Sequence, residues 1–247
     1  MKVAIMQPYF FPYVGYFQLI KSVDQFVVYD NIRYTKKGWI NRNRFLQNGK
    51  AAHFTVPIKK GSDRLDVRDR TVASDFDKKK LLQKIREAYR KAPYFERGFS
   101  LFERVVLNSE TNLFGFIYFS IREICKELGL ETEVLISSSV DIDHSLKSQD
   151  KVIAICEHLG AAAYVNPIGG QGLYSYDDFR RHGIDLKFIR TMPIEYQQLD
   201  DAFVPWLSIL DVMMFNDPAK LGQMLDHYEF VTGLPGSTKN VPVEEAR

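Results

Sequence analysis

Cysteine and tryptophan are scarce in this 247-residue chain, two of each, and neither sign of charge dominates: 33 Lys+Arg stand against 31 Asp+Glu, a formal net charge of +2. Cys125 and Cys156 both fall in apolar helical patterns (SIREICKELG and DKVIAICEHLG), so buried reduced thiols are expected rather than a bridge. Balanced charge argues against a nucleic-acid partner, because such binding needs Lys and Arg clustered to neutralise many phosphates together. Long hydrophobic runs are also missing. No stretch approaches the roughly 20 apolar residues of a membrane span. The opening MKVAIM run stops at Gln7, too short for a signal peptide, so no membrane insertion and a cytoplasmic location are expected. There is no Walker loop, no Gly-x-Ser-x-Gly elbow and no His-Glu-x-x-His, and the five histidines stand apart without ligand spacing. A metal held by His or Cys is therefore not expected.

What the chain has in excess is aromatic side chains, 18 Phe and 13 Tyr, in a composition otherwise 45% hydrophobic and 26% charged. Those proportions belong to a soluble globular protein and exclude disordered and collagen-like chains. The excess is local: six of the nine residues from Tyr9 to Phe17 are Phe or Tyr.

Hydrophobic periodicity reads as an α/β protein with a parallel sheet. KVAIM (2–6) is a buried strand, VGYFQLIKSVD a helix and QFVVYD (25–30) a second strand, together a βαβ unit. Trp39–Leu46 and Ala51–Ile58 read as strands of a side hairpin joined by Gln47-Asn48-Gly49. A helical insertion spans about 75–128, opened by a helix from Asp75 with Ser74 as its cap. Strands at Glu133–Ile136, Ala162–Pro167 and Leu186–Ile189 alternate with helices at Lys147–Leu159 and Asp177–His182, and Val204–Phe215 reads as an apolar helix. The expected organisation is one α/β domain over 1–235 with a loose tail at 236–247.

Ligands of such folds sit beyond the carboxyl ends of the strands, and four groups of residues fall there or nearby. The first is QPYFFPYVGYF, in which Gln7, Pro8, Tyr9, Tyr13 and Tyr16 offer donors and a flat wall while Gly15 allows close approach at a helix start. The second, YDNIRYTKKGWINRN, gathers Asp30, Lys36, Asn41, Arg42 and Asn43 around Trp39, a mixture that can hold phosphate and leave a carboxylate as base. The third comprises Ser137 and Ser138 after one strand and Asn166, Gly169, Gly170 and Tyr174 after another, a cradle for phosphate or carbonyl, with His144 nearby as an acid or base. The fourth is Gln197 with Ser208 and Asp211, the last two on one face of the apolar helix.

QPYFFPYVGYF, FVVYDNIRYTKKGWINRN, FTVPI, the SSS run, ICEHLGAAAYVNPIGG and PWLSILDVMMFN, in that order, resemble the WbqC-like family of bacterial proteins along nearly the whole chain. The resemblance implies transfer of an acyl or aminoacyl group, such as glycyl, to the amine of a nucleotide-linked amino sugar in surface-polysaccharide (O-antigen) biosynthesis. The partners so implied are that sugar and an amino-acid or acyl donor, activated by ATP or supplied as a thioester. FPYVGYFQLIKSVD followed by FVVYDN is also laid out like the opening of the HxGH nucleotidyltransferase and pantothenate synthetase superfamily, whose fold is Rossmann-like (HUP-like). Tyr13 and Tyr16 then stand where histidines would, and a neutral phenol is a poor substitute in stabilising phosphate charge. On the amide-forming reading, Asp30 or His144 is the base, Tyr13, Tyr16 and Asn43 are donors, and Arg42 and Lys36 take the phosphates. The competing readings are a non-catalytic nucleotide or sugar-nucleotide binder within a glycan-assembly complex, and a nucleotidyltransferase-like enzyme.

Overall fold

The computed structural model describes residues 1–199 and 202–232. KVAIM forms β1 (Lys2–Met6) with its three middle residues buried, and Pro8 and Pro12 keep the chain out of helix until α1 (Val14–Lys21). β2 (Gln25–Val28) returns parallel to β1, Met6 lying beside Val28. Residues 29–132 then leave the sheet to build the hairpin β3 (Arg42–Gln47) and β4 (Lys50–Thr55) and the helices α2 (Lys78–Tyr89), α3 (Phe95–Leu107) and α4 (Leu113–Glu127). The chain rejoins the sheet as β5 (Glu133–Ile136), followed by α5 (Ser148–His158), β6 (Ala163–Pro167), α6 (Tyr176–Arg181), β7 (Asp185–Thr191), α7 (Ile209–Phe215), α8 (Pro218–Leu225) and β8 (Tyr228–Thr232).

The sheet order is β5-β2-β1-β6-β7-β8, parallel throughout except for antiparallel β8 on the edge, with β3 and β4 as a separate two-stranded sheet. This is a Rossmann-like α/β fold with a helical insertion and a side hairpin. The direction of winding reverses between β1 and β6, which opens a crevice beyond their carboxyl ends. Alternate residues of the central strands feed two cores. Ala4, Phe26 and Val28 join α1, the insertion helices, the hairpin and α7, while Val3, Ile5 and Val27 join Ile155 and Cys156 of α5 and Phe179 of α6. Asn48 and Gly49 both have positive φ (52° and 69°), as a two-residue turn of matching twist requires.

Several boundaries differ from the sequence reading. Helix α2 is capped by Asp77, whose carboxylate accepts the Lys80 N–H, rather than by Ser74. An anionic cap also complements the helix dipole, and the preceding residues make a separate turn through Phe76 N–H to the Ala73 carbonyl. The hairpin begins at Arg42, not Trp39, because the Ile40 carbonyl is taken by the Phe10 N–H. Only Ile209–Phe215 of the apolar run 204–215 is helical: Pro205 disfavours a helical Val204, and Trp206 is left-handed (φ 60°). Strand β8 and helix α8 were not anticipated, although Asp217 followed by Pro218 is a helix-start signal. The expected tail at 236–247 lies outside the described residues.

The larger core is stitched by phenylalanines: Phe102 of α3 lies 5.0 Å from Phe11, 5.7 Å from Phe54 of β4 and 6.4 Å from Phe10, centroid to centroid, and is fully buried. Phe102→Ala is expected to cost about 3–5 kcal/mol in urea unfolding, since two separate segments, the aromatic loop and β4, lose the same partner.

Candidate functional site

The carboxyl ends of β2 and β5 meet around Asp30. Val28 pairs with Ile136, so the residues after each strand are neighbours. Ser137 Oγ donates to Asp30 Oδ1 at 2.7 Å and the Ser138 N–H donates to the same oxygen at 2.9 Å, while the Asp30 N–H returns a bond to Ser137 Oγ at 3.2 Å. Asp30 is only 3% exposed, yet its Oδ2 makes no hydrogen bond. Ser137 also lies 2.8 Å from Asn31 Oδ1, and Asn31 Nδ2 sits 3.1 Å from Nδ1 of exposed His144. Residues read from sequence as separate groups, Asp30, Ser137, Ser138 and His144, thus form one cluster. Ser137 is a brace for the carboxylate rather than a ligand contact.

A residue the sequence reading missed completes this edge. Lys151, in the first turn of α5, is 5% exposed, and its Nζ has neither an ion pair nor a hydrogen bond; it lies 5.2 Å over the ring of Tyr29. Burial pushes its ammonium below the usual lysine range, while Asp66 and Asp30 oppose that shift. Lysine is seldom buried to this extent, and its unpaired Nζ stands at the same sheet edge as Asp30. The sequence signal was available, a lysine in the first turn of a helix entered from a polar loop after a parallel strand. Burial also raises the Tyr29 phenol, with Tyr174 adding to the shift.

The exit of β6 lies on the other side of β1. Asn166 Nδ2 donates to the Tyr164 hydroxyl at 2.7 Å, which contacts the Tyr174 hydroxyl at 3.1 Å. Gly170 is required by packing: a Cβ there would stand 2.1 Å from Asn166 Oδ1. Gly169 faces open space. Asn166 and Gly170 are therefore packed rigidly against each other at the exit of β6.

The aromatic loop after β1 divides sharply. Phe10, Phe11, Phe17 and Tyr16 are core residues and Pro8 is buried. The Tyr16 hydroxyl donates to the Gln7 carbonyl at 2.9 Å and its phenol is raised well above the usual range by burial, so it is not a free donor. Tyr9 contacts Gln7 Oε1 at 3.4 Å. Tyr13 alone among these tyrosines keeps a half-exposed hydroxyl without a partner, its phenol pushed up to about 12 by desolvation. Gly15 allows an approach of protein rather than ligand, since a Cβ would stand 2.6 Å from Thr191 Oγ1 of β7.

In the segment after β2 the amides prove to be scaffolding. Asn41 accepts from the Tyr34 hydroxyl at 2.8 Å and donates to the Val56 carbonyl at 2.7 Å. Asn43 donates to the Phe10 carbonyl at 3.3 Å and accepts the Arg44 N–H at 2.8 Å, so it ties the hairpin to the aromatic loop. Lys36 pairs with Asp63 at the surface. Arg42 bonds the carbonyls of Gly38 and Lys37 and lies over Trp39.

The fourth group is structural. Ser208 is not on the helix but caps it, its Oγ accepting the Leu210 N–H and donating to the Phe11 carbonyl at 2.6 Å, so it does not share a helical face with Asp211. Gln197 is exposed and bonds only the neighbouring Gln198 carbonyl. Asp211 is fully buried, accepting from Tyr89 on one oxygen and from Tyr196 and Gln198 on the other, each within 2.8 Å.

Two other features lie outside this edge. A concavity lined by Arg122, Cys125, Lys126 and Thr132 sits by the amino end of β5, the far end of the sheet from Asp30. Both cysteines are free, and burial pushes each thiol up to about 12. No His/Cys/Asp/Glu group among the described residues could hold a metal, and no helix among them is long and apolar enough to cross a membrane.

The sheet order defines a Rossmann-like α/β protein, and its candidate charged residues lie beyond the carboxyl ends of β2 and β5, next to the switch in winding. Residues 7–223 match the WbqC-like protein family, and the chain belongs to that family. It is similar to "Uncharacterized protein Rv1507c" of Mycobacterium tuberculosis (strain ATCC 25618 / H37Rv), 30% identical over 223 residues that cover 87% of this chain and 93% of that one. No solved structure matches.

The fully satisfied Asp211 offers a check on the distinction between scaffold and site. Burial raises its pKa from 3.8, so the folded state holds the proton more tightly than the unfolded chain. Its charge consequently lowers stability as pH rises from about 3.8 through the folded value. In Asp211→Asn this decline is expected to disappear from urea midpoints measured between pH 4 and 7, at the cost of a uniformly lower stability because an amide cannot accept from all three donors.

Proposed function

We propose that the protein forms an amide on the amine of a nucleotide-linked amino sugar, at the crevice beyond β1, β2, β5 and β6. Membership of the WbqC-like family is consistent with a transferase of polysaccharide biosynthesis. The observation that carries the reaction is the pairing, at one sheet edge, of a braced carboxylate with a free Oδ2 (Asp30) and a buried lysine with a free Nζ (Lys151).

The amine nitrogen attacks the carbonyl carbon of the acyl donor and a C–N bond forms. The proton it sheds goes to Asp30 Oδ2, which Ser137 and Ser138 hold in place without blocking. Lys151 lies where positive charge offsets the tetrahedral oxyanion. The bond from carbon to the leaving group then breaks, and the leaving group departs with the electron pair and takes the proton from Asp30. A carboxylic acid donor needs prior activation by ATP, whereas a thioester brings its own leaving group. Tyr13 is the phenol free to contact the sugar, in place of Tyr16.

The direct test is mass spectrometry of a nucleotide-linked amino sugar incubated with the protein and a panel of acyl donors, with and without ATP. A product heavier by one acyl group is expected, and Asp30→Asn should lower kcat roughly 10²–10⁴-fold with the fold intact by circular dichroism. Lys151→Met should lower it by a similar order. The absence of any acylated product across the panel, or undiminished turnover in Asp30→Asn, sinks the proposal.

A further inference from the structure

The hairpin carries a second charged constellation, made largely of residues that the sequence reading passed over. Its inner side is tied to the core through Phe45, Phe54 and Asn43. On its other side Arg42 and Arg44, two apart on β3, both lie over the ring of Trp39 at 5.7 and 5.2 Å, and His53, directly opposite Arg44 on β4, stacks on the same ring at 6.1 Å. Lys84 of α2 reaches in to bond the His53 carbonyl. Among the described residues none of these cations has a carboxylate partner, and Arg44 Nε is buried without any acceptor. The charges that act on His53 are Arg42 and Arg44 from β3 and Lys84 from α2, all positive, and with desolvation they hold its imidazolium below the usual range. A cluster of like charges with an unmade guanidinium bond is costly unless something anionic completes it.

We propose that the Trp39 side of the hairpin is an oxyanion site for the phosphate or diphosphate of a small ligand, with Arg44 and His53 as its binding groups. Arg42 is the support: its Nε and one Nη are committed to the carbonyls of Gly38 and Lys37, which fixes the Trp39 platform. Arg44 is uncommitted and turns its planar fork to the oxyanion. The proposal deepens the transferase reading, on which it rests for the ligand's identity, and moves the phosphate contact from Lys36, neutralised by Asp63, to Arg44 and His53. Arriving negative charge reverses the field on His53, so binding and His53 protonation reinforce each other.

Inorganic pyrophosphate is the probe, followed by calorimetry and by NMR of the His53 ring in the full chain. Binding to the wild type is expected to tighten from pH 8 to pH 6, with pyrophosphate raising the His53 titration midpoint. Arg44→Gln and His53→Gln should each weaken binding about tenfold or more at pH 6, as expected for losing one charge-assisted bond. Lys50→Gln, which removes one charge at the exposed hairpin tip, should bind as the wild type does. An unmoved His53 midpoint in the wild type overturns the proposal without recourse to any variant. Equal loss in Lys50→Gln also overturns it, by showing diffuse attraction rather than a site. If pyrophosphate binds as described while no acylated sugar forms, the oxyanion site stands and the transferase reading falls. If acyl transfer occurs and Arg44→Gln leaves KM for the nucleotide-linked sugar unchanged, the site falls and the transferase reading stands.

Discussion

The rest of the structure depends on driving two consecutive rings, Phe10 and Phe11, into one core. In extended backbone successive side chains point to opposite sides, and the left-handed turn at Phe11 (φ 45°) is what brings both inward. That conformation costs about 1–2 kcal/mol. Full burial of each ring contributes about 1.5–3 kcal/mol, which offsets it. The main chain here is held from several directions: the Phe10 N–H reaches the Ile40 carbonyl, the Phe10 carbonyl takes Asn43, the Phe11 carbonyl takes Ser208 and the Pro12 carbonyl takes the Ile209 N–H. One segment thereby joins the sheet, the hairpin, the insertion helices and α7.

A rigid exit from β1 has a functional consequence, because catalytic geometry needs supports that do not move. The carboxyl edge of the sheet is bordered by elements locked in this way, and Asp30 and Lys151 lie beside them. Asp211 and Asp30 illustrate the contrast. Both are buried carboxylates, but Asp211 has donors on each oxygen and binds three segments together, whereas Asp30 has its donors on one oxygen and keeps the other free. Lys151 and Arg44 have no carboxylate partner among the described residues, whereas Arg97 is paired with Glu127. A buried polar group with every bond made holds structure together. A missing bond alone does not mark a site, since Arg70, Arg97, Ser120 and Asn216 each keep a buried unpartnered atom within the scaffold; it counts where it lies among other unspent functional groups.

Much of the fold was legible because it rests on local pattern. KVAIM and QFVV are short, buried and bounded by turn residues, and Asn48-Gly49 has few alternatives to a tight hairpin. The helix starts at residues 75 and 204 were misplaced for a different reason. Ser74 and Asp77 are both good caps, and the choice between them was made by a turn at Ala73–Phe76; the apolar run at 204–208 is kept from helix by Pro205 and the left-handed Trp206, and joins the hairpin where Ser208 N–H meets the Arg44 carbonyl. Among the site residues, Asp30, Ser137, Ser138 and His144 were visible as polar residues after strands. Arg44 and His53 were not, since each sits inside a strand where a charged residue ordinarily faces solvent, and Lys151 was marked only by its place near a helix start.

The sequence by itself determined the alternation of strands and helices, the hairpin, the free thiols and the polar composition of the loops beyond the strands, since each follows from residue type and spacing along a few consecutive positions. Only the tertiary structure decided which aromatics became core and which polar atoms were left unpaired. Tyr13 and Tyr16, at the cap and in the first turn of α1, look alike on paper, yet the Tyr16 hydroxyl is consumed by the Gln7 carbonyl and that of Tyr13 has no hydrogen bond among the described residues. Whether a hydrogen bond is already made depends on what arrives from distant parts of the chain, and no local pattern records it.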